Sequence, residues 1–254
     1  AEDGIRDYKV TGVQTCALPI SIESLKFNLG DDDPGSLFLD LTSLQFREGI
    51  SILWGISGSG KTTFLETLCG MRGAEVLRIN LDGQEYDFCH ISQKEGFFAN
   101  FIGVQYQEPE LLMELSCLEN LRLMEQFSNK PSPPYDFFLE VISTLELDSV
   151  IDQSTSTLSR GEAQRLSIAR ALLYAQRLLI LDEPLVYFQK KLQAKIWELI
   201  CNTVSRKGLI CLMTTHDPSF AKPQGEGAFY SCSRDAQGRA KILKTSFETF
   251  DFLS

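Results

Sequence analysis

Three short runs of this chain carry residue types that handle phosphate. Gly55-Ile-Ser-Gly-Ser-Gly-Lys-Thr62 fits the spacing G-x-x-x-x-G-K-[ST], whose glycines let successive backbone N–H groups face phosphate oxygens. Gly55, Ser57, Gly58, Ser59, Gly60 and the adjacent Thr63 are candidate nucleotide contacts. Lys61 is expected to reach the β- and γ-phosphates and Thr62 to ligate Mg2+ through its hydroxyl. Asp182-Glu183 closes the apolar run Leu178 to Leu181, and carboxylates at the carboxyl end of a buried strand face a ligand crevice. There Asp182 would hold the Mg2+ shell and Glu183 would polarise an attacking water. Taken alone, the acidic pair reads equally well as a helix N-cap.

Ser159-Arg-Gly-Glu162 is a capping box, and any helix can begin this way. The same geometry presents free N–H groups and a hydroxyl to a second phosphate, which makes Ser159, Gly161 and Glu162 candidate contacts. The loop at 55–62 already cradles one nucleotide. A second phosphate reader is useful only against the ATP of a neighbouring copy, which predicts a head-to-tail dimer.

The elements that must position these runs alternate along the chain. Strands are expected at Ser21 to Asn28, Leu37 to Phe46, Ile50 to Trp54, across 76–91 around an Asp82-Gly83 turn, and at Ile102 to Tyr106. Gly30 to Gly35 reads as a turn. A helix follows Thr62 to about Met71, and a helical stretch runs from Glu108 to about Leu147 around Pro131-Ser-Pro-Pro134. Helices at 159–176 and 189–205 flank the Leu178 to Leu181 strand, then Leu209 to Thr214 forms a strand and 228–246 a hairpin around Gln237-Gly238. Strands alternating with helices imply a mostly parallel sheet with covered faces.

Bulk properties narrow the class. A chain of 254 residues with 43% hydrophobic and 23% charged residues suits one large globular domain. No run of 18 apolar residues occurs, so a membrane role needs a partner subunit. A net charge of −10 without a basic block argues against nucleic acid as a partner. Seven cysteines lie without C-x-x-C spacing, several in apolar runs, as reduced core thiols do. Val10 to Ile20 looks like an in-frame translation of a sequencing-library adapter, so residues 1–20 are read as non-native or disordered. Residues 247–254 are read as a tail.

Over residues 21–246 the chain resembles the nucleotide-binding subunit of the ATP-binding cassette (ABC) transporter family. The phosphate loop, Leu158-Ser-Arg-Gly-Glu162, Ile180-Leu-Asp-Glu-Pro184 and Thr215-His216 stand in that family's order and spacing. The resemblance implies an α/β fold of the P-loop NTPase cassette type. Such a fold has a mostly parallel sheet, an antiparallel β subdomain and a helical subdomain inserted at about 108–176. It further implies that Gln107 senses Mg2+ and the transmembrane partner, that His216 contacts the γ-phosphate and that Phe27 stacks on adenine; His90 is incidental. ATP and Mg2+ are the implied cofactors. A second cassette and integral membrane permease subunits are the implied partners, and the cytoplasmic face of the inner (plasma) membrane is the implied location.

Two positions depart from the family pattern. Arg160 replaces the signature's first glycine, beside a phosphate or pointing to solvent. Leu185-Val-Tyr-Phe-Gln189 replaces a small-residue loop, with Gln189 where the family has an aspartate that links the two ATP sites. The leading reading is the ATPase that powers a transporter through ATP-driven dimerisation. The alternatives are a soluble ABC ATPase of the iron–sulfur assembly type, or a catalytically degenerate cassette in a heterodimer.

Overall fold

The computed structural model describes residues 19–28, 37–72, 76–81, 83–87, 101–127, 132–217, 223–235 and 240–246, with backbone alone at 23, 24, 26–28, 37–43 and 127. The side chain of Phe27, residues His90, Cys16 and Cys89, and the turns expected at 30–35, Asp82 and Gln237-Gly238 lie outside the described residues. So do residues 1–18 and 247–254.

Strands β1 (Ile20–Asn28), β2 (Leu37–Phe46), β3 (Gly49–Trp54), β4 (Val76–Leu81), β5 (Gln84–Asp87), β6 (Ile102–Gln105), β7 (Leu178–Leu181), β8 (Ile210–Thr215), β9 (Gln224–Gly225), β10 (Phe229–Arg234) and β11 (Ala240–Thr245) join in one mixed sheet. Its order is β5-β4-β1-β2-β11-β10-β3-β8-β7-β6, with β9 beside β3. Pairing is parallel from β10 through β3, β8 and β7 to β6. It is antiparallel across β5, β4, β1 and β2. Expectation and structure agree on this division.

The central strands are apolar on both faces, and alternation divides their side chains between two cores. Leu178, Ile180, Ile210, Leu212 and Leu53 face helix α1 (Lys61–Leu68) and the antiparallel strands. Leu179, Leu181, Cys211, Met213, Ile50 and Ile52 face helices α2 (Cys117–Phe127), α3 (Tyr135–Thr144), α4 (Arg160–Tyr174) and α5 (Lys190–Lys207). Helix α1 ends at Leu68, short of Met71, because Gly70 takes the left-handed φ of 72°. The stretch from 108 to 116 is not helical as expected. Asn120 and Thr155 side chains capture the Leu112 carbonyl, and Asn120 also receives the Leu112 N–H, so this backbone is satisfied outside a helix.

Helix α4 is fixed at both ends. Ser159 and Glu162 form the expected capping box, and Lys207 Nζ donates to the carbonyls of Leu172, Leu173 and Ala175 at the other end. Its last turn lies so close to β6 that a Cβ on Gly103 would stand 2.2 Å from the Ala171 carbonyl oxygen and 2.8 Å from Ala175 Cβ. Gly103→Ala is therefore expected to lower the unfolding free energy by about 1–3 kcal/mol through overpacking. Urea titration reads this as a lower midpoint; an unchanged midpoint would mean that helix and strand are not this close in solution.

Candidate functional site

Parallel pairing brings the carboxyl ends of β3, β7, β8 and β6 to one edge of the sheet. The phosphate loop leaves β3, and Gly60, at φ 105°, turns it into α1. Lys61 is buried there, and its Nζ donates to the carbonyls of Gly55 (2.6 Å) and Ile56 (3.2 Å). Burial pushes its pKa down, against the opposing pull of Glu183, Cys232 and Asp182.

Register places the acids. Leu181 stands opposite Met213, so Asp182 falls beside Thr214. The Thr214 hydroxyl donates to Asp182 Oδ1 and accepts the Glu183 N–H at 2.9 Å. Thr62, close by at the start of α1, favours the charged form of the Asp182 carboxyl. Asp182 is 3% exposed and Glu183 7%. Burial raises both carboxyl pKa values; the Thr214 hydrogen bond and the nearby Thr62 oppose this at Asp182, as the charge on His216 does at Glu183. Glu183 adopts φ 52°, in the left-handed region that costs a non-glycine residue on the order of 1 kcal/mol. That turn aims its carboxylate at His216 Nε2, with which it is in contact. The Trp54 indole N–H donates to the His216 carbonyl at 3.3 Å, tying the histidine to the end of β3.

A cleft of about 190 Å³ gathers Ser57, Gly58, Gly60, Lys61, Thr62, Thr63, Gln107, Glu183 and His216. Gly55 and Ser59 are not among its lining residues; the Ser59 side chain is buried and its N–H bonds the Ile56 carbonyl. Ser159, Gly161 and Glu162 are not part of this cleft either. Gly161 borders a different cavity, of about 400 Å³, with Tyr187, Gln189 and Lys191. The Ser159 hydroxyl donates to Glu162 Oε2 at 2.6 Å, and these hydrogen bonds hold the Glu162 carboxyl below its ordinary pKa. Arg160 points neither to solvent alone nor into the cleft. It bonds Glu108 and Tyr187.

Sequence reasoning missed Thr214 and Arg234. Arg234 lines the cleft from β10, whose Ser231 pairs with Trp54 beside the phosphate loop. Its signal was parity: Tyr230 and Cys232 are buried, and Arg234 continues their face beyond the end of β3. For Mg2+ the donor set fits. Thr62 and Gln107 line the cleft and Asp182 is buried close to Thr62; all three offer the hard oxygens that this ion prefers, and phosphate and water would complete the shell.

The raised carboxyl pKa values have a consequence for stability. The native state holds these protons more tightly than the unfolded chain, so the contribution is fully present below the ordinary carboxylate range. It is lost as pH rises through the raised native values. Urea midpoints without nucleotide should fall as pH climbs through that window, and Asp182→Asn should flatten the fall. An equal slope in the variant would show that Asp182 titrates normally.

A family model described as ABC transporter matches residues 39–186. The lipoprotein-releasing system ATP-binding protein LolD of Neorickettsia sennetsu is 32% identical over 183 residues, covering 70% of this chain and 79% of LolD. The aliphatic sulfonates import ATP-binding protein SsuB 1 of Nocardia farcinica is 31% identical, covering 81% of this chain and 74% of that protein. The molybdenum import ATP-binding protein ModC of Hahella chejuensis is 30% identical over 72% of this chain, which spans about half (51%) of its length. Among solved structures, the ABC transporter cassette MJ0796 in dimeric form matches with a TM-score of 0.71 at 22% identity, over 89% of this chain and 98% of that one. That last likeness is one of fold.

Proposed function

Since this chain belongs to the ABC transporter family, we propose that it is the ATP-binding and ATP-hydrolysing subunit that powers a transport complex through nucleotide-driven closure of two cassettes. The observation that carries the reading is the meeting of Lys61, Asp182, Glu183 and His216 at one sheet edge, with Glu183 in contact with His216. The loop N–H groups around Gly58 and Gly60 receive the phosphates, and Lys61 exchanges its carbonyl partners for the β- and γ-phosphate oxygens. Thr62, Gln107 and Asp182 would hold Mg2+, which when bound with the nucleotide would supply neutralisation of phosphate charge. Glu183, whose burial favours accepting a proton, takes one from a water as its oxygen attacks the γ-phosphorus and ADP leaves. His216 orients Glu183 and meets the γ-phosphate, while Phe27 on β1 stacks on adenine.

Ser159, Gly161 and Glu162 serve the nucleotide of a second copy, since they stand apart from the chain's own cleft. The helical segment at about 108–176 is then a subdomain that receives an integral membrane permease. No helix among the described residues is long and apolar enough to cross a membrane. The likeness to import and lipoprotein-releasing ATP-binding proteins supports a place on the cytoplasmic face of the membrane, held there by that partner. Gln189 favours a second reading, a degenerate cassette in a heterodimer, against which ATP turnover by the isolated chain would weigh. Glu183→Gln is expected to lower phosphate release at least about 100-fold and to accumulate nucleotide-bound dimers by size-exclusion chromatography. Hydrolysis at the parent rate would remove Glu183 from the mechanism.

A further inference from the structure

The two departures from the family pattern touch one another. Arg160 Nη2 donates to Glu108 Oε1 at 2.6 Å and to the Tyr187 hydroxyl at 2.7 Å. The guanidinium lies over the Tyr187 ring, 4.3 Å from its centroid. Each partner sits beside a residue of the proposed chemistry. Arg160 follows Ser159 and opens α4, Glu108 follows Gln107, and Tyr187 lies four residues past Glu183. One planar cation therefore ties the start of α4 to two loops that are 52 and 27 residues away from it along the chain.

Fold stability does not account for this arrangement. Arg160 and Glu108 side chains are 56% and 75% exposed, and pairs so exposed contribute little to stability. A cation in the first turn of a helix is also opposed by the helix dipole. Glu108 is followed by Pro109, whose ring fixes the backbone, so displacement of Glu108 passes back to Gln107. Farther on, the loop is anchored at Leu112 by Asn120 and Thr155. Its front part is fixed to α4 by Arg160. Meanwhile Gln189, where the family's linking aspartate stands, makes no side-chain capping bond.

We infer that Arg160 is a positioning residue which, through Glu108 and Tyr187, couples the Ser159–Glu162 turn to Gln107 within one chain. The inference rests on the two-cassette reading above. The turn meets the nucleotide of the second copy and Gln107 meets the chain's own, so the tie makes each site respond to occupancy of the other. It performs inside the protomer a linkage that the missing aspartate cannot perform across the interface.

The test is a double-mutant cycle on ATP hydrolysis by the full chain. Arg160→Ala and Glu108→Ala are each expected to lower kcat three- to tenfold with KM for ATP within twofold and an unchanged melting temperature. The double variant should be no worse than either single one, and exchanging the charges (Arg160→Glu with Glu108→Arg) should restore part of kcat. Tyr187→Phe, which keeps the ring and loses the hydroxyl, should fall between parent and Arg160→Ala. Losses that multiply in the double variant, or single variants with parental kcat, would overturn the coupling. Amide hydrogen exchange without nucleotide reads the same tie independently of turnover. Arg160→Ala should speed exchange at residues 106–110 at least threefold, and parental exchange there would sink it. A parent chain without ATPase activity would instead count against the proposed function, and the exchange result would still decide the tie.

Discussion

Everything at the cleft depends on the parallel register of β3, β8 and β7. Leu53 stands opposite Thr214 and Leu181 opposite Met213, so the chain leaves all three strands at nearly the same height. That common exit places the phosphate loop, Asp182-Glu183 and Thr215-His216 within reach of one another. Since side chains alternate with period two, a slip of one residue would send the buried apolar sets of these strands to the opposite faces and separate Thr214 from Asp182. The double-sided cores hold this register. Leu178 and Ile180 fill one of them and Leu179 and Leu181 the other, so neither face tolerates the shift.

The site was legible in the sequence where chemistry is written as spacing. Lys61, Thr62, Asp182 and Glu183 follow from local motifs, and Gln107 and His216 from the resemblance; the structure brings all six to one sheet edge. The unread part depends on contacts between distant segments. Thr214 reads as one more residue of a buried strand until register sets it against Asp182. Arg160 offers no local sign that its partners are Glu108 and Tyr187. The stretch 108–116 is rich in Leu and Glu and reads as helical, yet Asn120 just beyond it and Thr155, 43 residues on from Leu112, claim its backbone groups. Main-chain capture of this kind has no pattern in composition.

The cleft keeps ionisable groups where burial disfavours their charge. Lys61, Asp182 and Glu183 are all shifted toward their neutral forms by desolvation, and Glu183 also occupies a disfavoured backbone region. Such a site lowers the stability of the protein that carries it, and groups of this kind become favourable only against the charge they are built to meet. The surrounding structure over-determines the geometry through Trp54, Thr214 and the two cores.

The position of β3 between β8 and β10 sets an order on biosynthesis. The strand that bears the phosphate loop is made early, at residues 49–54, while its two parallel neighbours comprise residues 210–215 and 229–234. During translation, β3 must wait about 160 residues for its first parallel neighbour, roughly ten to thirty seconds at ordinary ribosomal rates. Its exposed edges and apolar faces are in that interval a hazard for non-native pairing. The nascent chain therefore acquires its nucleotide loop sequence long before it acquires the loop's shape, and a ribosome-bound fragment that stops short of β8 has the motif without the site.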